Sequence, residues 1–305
     1  MRIVVTGESG FAGTWLGREL VGAGHEVVPL PGLDVTDRDG LVRSFGEVAP
    51  DAVAHLAAVS FAPDAAADAE HAFTVNVGGT IHVLEALRTL PRRPAVLITG
   101  SSEVYGAPSP DDLPLRESSP LAPRTPYSLS KAAQESAGLA YAARERWPLV
   151  VCRAFNHAGP GQRDVFVVPA LARRVRDVAD GAEREIRAGN LDVRRDFSDV
   201  RDVVRAYRLL LEALVERRIE PGGRVVNVCA ARSVAIRGIL EELAGIAGIE
   251  LVVRTDPALL RPNDPAEIVG DASELERLTG WQPHIDLSTT LRDVWDSISI
   301  QAATA

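Results

Sequence analysis

The chain opens on an apolar run at residues 2–6, and similar runs return at 26–30, 52–57, 95–100 and 149–155. Each is short and rich in Val, Ile, Leu or Ala, with little alternation of apolar and polar positions. That pattern predicts strands buried on both faces. Longer stretches of helical periodicity lie among them, at 10–23, 66–90 and 126–146. Strands separated by helices predict parallel pairing with helices on both sides of the sheet. The expected fold is α/β, a Rossmann-type doubly wound parallel sheet.

Past residue 161 the pattern is less regular. Helices are expected at 168–180, 200–217 and 236–247, and strands at 184–187 and 224–228. Some of these should rejoin the sheet and others build a smaller C-terminal α/β lobe. The expected division is residues 1–160 and 161–300, without a clean boundary. A loop rich in Pro, Asp and Ser covers 107–125, and no internal repeat is visible.

Composition narrows the function classes. A hydrophobic content of 46% over 305 residues supports a sizeable core. The formal net charge of −9 argues against a nucleic-acid surface, which needs a basic face. It leaves room for a local arginine cluster around one phosphorylated ligand. No apolar stretch approaches the ~18 residues of a membrane span, and the first run is too short for a signal segment. The expectation is a cytoplasmic protein without a membrane partner. Cys152 and Cys229 sit in apolar runs and are expected to be buried free thiols. No His/Cys/Asp cluster has metal-ligand spacing, so no metal is expected.

The stretch "VTGESGFAGTWL" places Gly7, Gly10 and Gly13 directly after a strand and at the opening of a helix. Glycines there permit a tight turn and close approach of a pyrophosphate, which a helix N-terminus favours. The fingerprint also wants an acidic residue after the second strand for a ribose, or a basic one for a 2′-phosphate. Pro29, Leu30 and Pro31 supply neither, so NAD and NADP both stay open. Asp34 either contacts the adenine end or begins a turn.

Of the 33 lysines and arginines, one alone is lysine: Lys131, four residues after Tyr127 in a helix opened by Pro126. With four tyrosines in 305 residues, a lone lysine falls at this spacing by chance about once in a hundred, which makes the pair informative. Both side chains share one helix face. A nearby ammonium is expected to lower the tyrosine's pKa and make the phenol usable as an acid or base. Lysine also offers a compact ammonium for a ribose hydroxyl, which arginine's planar fork does not replace.

Taken in order, "TGESGFAG", "HLAA" (55–58), "NVGGT" (76–80), "SSEVYG" (101–106) and "YSLSK" are similar to motifs of the extended short-chain dehydrogenase/reductase family. That family contains nucleotide-sugar epimerases, dehydratases and reductases. The resemblance implies nicotinamide chemistry at C4 of a nucleotide-linked hexose. It implies Tyr127 as acid/base, Lys131 as its electrostatic and ribose-binding partner, and Ser101 as hydrogen-bond donor to the C4 oxygen. Cofactor contacts are implied along Gly7, Gly10, Phe11, Gly13, Asp34, Val35, Leu56, Ala57 and Ala58, besides Tyr127 and Lys131. The C-terminal lobe becomes the substrate lobe, with Asn156, Arg195 and Arg261 at the diphosphate, Val167 near the base and Ser102 beside the sugar.

"GNLDVRRDFSDVRDVVRAY" and "RPNDPAEIVGDASELERLTGW" look most similar to the GDP-mannose branch. The branch implies reduction of the C4 ketone of GDP-4-keto-6-deoxy-D-mannose to GDP-D-rhamnose by NADPH or NADH. The alternatives are a 4,6-dehydratase, in which Glu103 removes a proton from C5, and a 4-epimerase. A non-catalytic, NAD(P)-sensing protein is disfavoured by the intact Tyr/Lys pair. The resemblance also implies a homodimer, joined as a four-helix bundle through the two long helices, which carry apolar positions on more than one face.

Overall fold

The computed structural model of the chain describes residues 1–250, 252–260 and 264–303, with side chains as far as Ile298. In chain order the first half contains β1 (Arg2–Thr6), α1 (Phe11–Gly22), β2 (Glu26–Val27), α2 (Arg38–Val48), β3 (Ala52–His55), α3 (Ala62–Ala67) and α4 (Ala69–Phe73). A π-helical turn at Thr74–Gly78 leads into α5 (Gly79–Arg88), followed by β4 (Ala95–Thr99), α6 (Pro126–Glu145) and β5 (Leu149–Ala154). The second half has β6 (Asn156–Ala158), α7 (Val167–Ala179), β7 (Ile186–Ala188), β8 (Arg194–Asp199), α8 (Val200–Val215), β9 (Arg224–Val228) and β10 (Ser233–Ala235). It ends with α9 (Ile236–Ala247), β11 (Val253–Thr255), β12 (Glu267–Ile268), α10 (Ser273–Thr279) and α11 (Leu287–Ala303).

Six strands form one sheet in the order β2-β1-β3-β4-β5-β9, every pair parallel. Both faces are covered, and the side-chain period of two sorts residues between them. Ile3 and Val5 of β1 join Leu16, Leu20, Val203, Tyr207 and Leu211 on one face. Val4 joins Leu41, Phe45, Leu84, Leu87 and Trp147 on the other. A separate core of Leu171, Val175, Phe197, Ile239, Leu243 and Val294 holds the lobe built on β8, α7, α9 and α11. In that lobe β8 pairs antiparallel with β10 and parallel with β12 and β6.

Several elements differ from the sequence reading. The strand expected at 26–30 ends at Val27 because Pro29 and Pro31 cannot donate to a ladder; Val28 still bonds Ile3 O at 2.9 Å. The helix expected over 66–90 is broken: Asp68 caps α4 through His71 N–H, and the π-helical turn interrupts the α-helical register. Helix α2 lies in a stretch to which the sequence reading assigns no element; Asp37 caps it by accepting from Gly40 N–H at 3.0 Å. Strand β8 was hidden because Asp196, Ser198 and Asp199 are buried polar residues that erase its apolar pattern.

Candidate active site

The strand order reverses between β1 and β3, and their C-terminal ends, with that of β4, open one cleft. Ligands of doubly wound sheets bind at such a switch point. The turn after β1 is shaped by glycine. Gly7 has φ +74°, and a Cβ there would stand 2.8 Å from Ala57 N. A Cβ on Gly13 would stand 2.1 Å from Gly7 O. Gly10 is the N-cap of α1 and offers no side chain, so the helix N-terminus is open to an anion. These residues fit a dinucleotide's pyrophosphate. Phe11 stacks its ring parallel to His157, with centroids 6.1 Å apart.

The turn is tied to the rest of the cleft by a buried polar chain. Thr80 Oγ1 donates its one proton to Asn76 O at 2.7 Å. It must therefore accept from Gln134 Nε2 at 2.8 Å and from His55 Nε2 at 2.9 Å. His55 is thus the Nε2–H tautomer, and its Nδ1 accepts from Thr6 Oγ1 at 2.7 Å. Thr6 Oγ1 in turn accepts from Ala57 N–H at 3.3 Å. Burial holds His55 neutral, with its pKa pulled to about 3; the nearby Lys131 acts in the same direction. From the π-helical turn, Asn76 binds Val59 N–H and O, and donates to Ser130 Oγ at 2.9 Å.

The remaining residues expected at the cofactor take varied positions. Leu56 N–H bonds Thr6 O at 3.1 Å, and Leu56, Ala57 and Ala58 are half-buried along the turn. Val35 is buried, its side chain filling the space above Gly79, so its backbone is what it can offer a ligand. Asp34 Oδ1 accepts from Thr36 N and Oγ1, both at 2.8 Å, which lowers its pKa.

Helix α6 carries Tyr127 and Lys131, the expected reacting groups. Thr125 caps it by accepting from Ser128 N–H at 3.1 Å, and Pro126 occupies its first turn. Tyr127 packs among Ala65, Ala72, Val59 and Ala62, while Lys131 is buried one turn later. Ser101 caps a 3₁₀ turn, Ser102–Tyr105, by accepting from Glu103 N–H at 3.2 Å, and lies close enough to Tyr127 to lower its pKa. Ser102 is buried and Glu103 exposed.

Here the electrostatics differ from the sequence expectation. Burial pushes the Tyr127 phenol above its ordinary value, the Glu103 charge adds to this, and the Ser101 bond opposes it. Lys131 is not among the causes. Its own burial brings its pKa down to about 7, which makes it a weak source of positive charge near neutrality. A phenol held neutral is a proton donor.

On the lobe side, Asn156 opens β6 and is exposed. Val167 is exposed at the first turn of α7. Just before it, Phe166 meets Phe61 edge to face, centroids 5.4 Å apart, joining lobe to sheet. Arg195 pairs with Asp264 and donates to Pro265 O at 2.8 Å. Asp264 is a neighbour that sequence reasoning passed over. Arg261 lies outside the described residues. Another unforeseen cluster sits behind the 3₁₀ turn. Arg153 forms a buried two-pronged pair with Glu135 of α6 and donates to Tyr105 Oη at 2.9 Å, which donates to Asn227 Oδ1 at 2.6 Å. Its members are far apart in sequence and follow no periodicity. Among the described residues no group of His, Cys, Asp and Glu is arranged to hold a metal. None of the described helices is long and apolar enough to cross a membrane.

A family model described as GDP-mannose 4,6 dehydratase matches residues 28–294. The chain belongs to this family. It is one of the extended short-chain dehydrogenase/reductases, NAD(P)-dependent enzymes acting on nucleotide sugars. GDP-6-deoxy-D-mannose reductase of Pseudomonas aeruginosa is 37% identical over 304 residues, 97% of each chain. The structure of RMD from P. aeruginosa complexed with NADPH superposes with a TM-score of 0.91 at 36% identity, covering 98% of this chain and 99% of that one. UDP-glucose 4-epimerase of Thermus thermophilus, solved with NAD, gives a TM-score of 0.84 at 28% identity, covering 98% and 99%.

Proposed function

We propose that the protein reduces the C4 ketone of GDP-4-keto-6-deoxy-D-mannose to GDP-D-rhamnose. The observation that carries this reading is the placement of Tyr127 on α6, buried one helical turn before the buried Lys131, with Ser101 buried at the cap of the 3₁₀ turn. Reduction of a ketone needs an acid at the carbonyl oxygen, and a protonated phenol can supply that proton. Bound NADPH or NADH supplies the hydride. Ser101 hydrogen-bonds the C4 oxygen, Tyr127 gives it a proton, and Lys131 holds the ribose and compensates the phenolate that forms. Asn156, Arg195 and Arg261 are the proposed diphosphate contacts, with Ser102 near the sugar and Val167 near the base. The likeness to the P. aeruginosa reductase over 97% of both chains supports the choice of substrate.

A 4,6-dehydratase is the second reading, favoured by one observation: Glu103 places a carboxylate near enough to raise Tyr127. The keto sugar separates the two. Stoichiometric loss of reduced-cofactor absorbance with GDP-4-keto-6-deoxy-D-mannose is expected. Conversion of GDP-mannose to a keto sugar without net cofactor consumption would overturn the reductase. Tyr127→Phe should lower kcat by roughly 10²–10⁴ while leaving cofactor affinity near wild type. We also propose a homodimer through α5 and α6, whose neighbourhood exposes Phe73 and Leu129; light scattering at micromolar concentration should give twice the chain mass.

A further inference from the structure

We propose that Arg153 is a positioning residue that acts through Tyr105, setting the 3₁₀ turn of Ser101 and Glu103 against Tyr127 on α6. The proposal rests on the roles given above to Ser101 and Tyr127, and adds the group that holds them in register. Ser101 is the N-cap of the turn and Glu103 lies within it. Two consecutive residues of β5 hold the two ends of that segment. At its entry Gly100 N–H bonds Cys152 O at 2.7 Å. At its exit Tyr105 Oη accepts from Arg153 Nη1 at 2.9 Å. Between them Val104 O accepts from Ala122 N–H at 2.9 Å.

Arg153 is buried and spends its guanidinium in three directions. Nε and Nη2 grip the two carboxylate oxygens of Glu135, one helical turn beyond Lys131 on α6. Nη1 gives one hydrogen to Tyr105 Oη and the other to Glu117 O at 3.0 Å. One side chain thus joins the helix of Tyr127 and Lys131 to the turn of Ser101 and Glu103. Tyr105 Oη, having accepted from Arg153, donates to Asn227 Oδ1 of β9, and Asn227 Nδ2 donates to Leu115 O at 3.0 Å. Burial pushes the Tyr105 phenol up to about 12, which keeps the donated hydrogen in place. Neutralising Glu135 takes one edge of the guanidinium; the other edge goes to the turn. A lysine ammonium, a point with three donors, offers no second edge. Ser101 and Glu103 act on the Tyr127 phenol in opposite directions, so a displaced turn alters both influences at once.

The test is steady-state reduction of GDP-4-keto-6-deoxy-D-mannose by the full chain and by Tyr105→Phe, which keeps the ring and removes only the hydroxyl. That variant is expected to lose roughly tenfold to a hundredfold in kcat, with reduced-cofactor affinity within about twofold of the natural chain. In a Ser101→Ala background the same substitution should cost only about threefold or less, because the group it positions is already gone. Equal losses in the two backgrounds overturn the proposal and leave Tyr105 a purely structural residue. Arg153→Lys, which keeps the charge and drops the second edge, should match Tyr105→Phe; full kcat in it also overturns the proposal. Amide hydrogen exchange reads the same link without turnover. In both variants, folded by near-UV circular dichroism, exchange should quicken at residues 101–106 and stay unchanged in β1 and the glycine turn. Unchanged exchange at 101–106 overturns the proposal. Quickened exchange in variants of a natural chain that reduces no keto sugar instead overturns the reductase reading on which it rests.

Discussion

The two flanks of α6 are fastened by opposite chemistry. Toward the glycine turn the fasteners are neutral: Thr6, His55, Thr80 and Gln134 pass hydrogen bonds in a line, and Asn76 reaches Ser130. Toward the 3₁₀ turn and the lobe they are ionic: Glu135 with Arg153, and farther out Arg195 with Asp264. Paired neutral donors and acceptors cost little to bury, although Gln134 Oε1 is buried here without a hydrogen-bond partner among the described residues. A buried ion pair is different. Its net contribution is small, yet losing either partner strands a charge away from water. The flank toward the glycine turn is thus held by neutral bonds, and the flank toward the lobe is one whose integrity depends on both partners staying in place.

The largest effect should come from breaking the ionic flank. Glu135 and Arg153 side chains are 4% and 5% exposed, so Glu135→Ala should cost about 3–5 kcal/mol in denaturant unfolding. Replacing both with apolar residues should recover much of that loss. Full stability in the double variant with undisturbed kcat would show that the pair does not position the 3₁₀ turn.

The neutral flank should fail through pH. The pKa of His55 falls from 6.5 to about 3 on folding, so the folded state binds fewer protons between those values. Its contribution is fully present above pH 6.5 and is lost as pH falls toward 3, on the order of 3 kcal/mol by pH 4. His55→Gln should flatten this acid limb in a midpoint-versus-pH series. An unchanged limb would assign acid sensitivity to other groups. Lys131 behaves alike at higher pH: with a folded pKa of about 7 against 10.5, stability should rise with pH across that interval, and Lys131→Met should remove the rise.

The smallest structural effect belongs to the outer pair. Arg195→Ala should cost less stability than Glu135→Ala, because Asp264 keeps 18% of its side chain exposed against 4% for Glu135. It should nevertheless raise KM for the nucleotide sugar while leaving the affinity for reduced cofactor unchanged. A parallel loss of cofactor affinity would mean that the flanks are coupled.

What was legible in the sequence follows the same division. Continuous apolar runs betrayed β1, β3, β4 and β5, and the glycine turn and the Tyr127–Lys131 spacing are local patterns on single elements. Elements stabilised by buried polar groups left no such trace, as β8 shows. Contacts between distant residues were equally silent. Thr6 and His55 are 49 positions apart, and Thr80 and Gln134 are 54 apart, so no period of a helix or strand relates them. Helix α2 was missed because its cap and two glycines resemble a turn. The titration of Tyr127 was misjudged for a related reason: spacing reveals the neighbouring ammonium, whereas burial, which dominates both groups, appears only when the chain is folded.

The π-helical turn at Thr74–Gly78 makes α4 and α5 run out of phase with each other. One extra residue rotates everything downstream by about 100° around the helix axis. The turn therefore works as a phase shifter that aims Asn76 at Ser130 while Thr80 still faces His55. Deleting one residue there would leave a continuous, fully bonded helix whose overall helicity looked normal. Its Asn76 and Thr80 could no longer both reach their partners, so a length change invisible to circular dichroism would misalign the cofactor cleft.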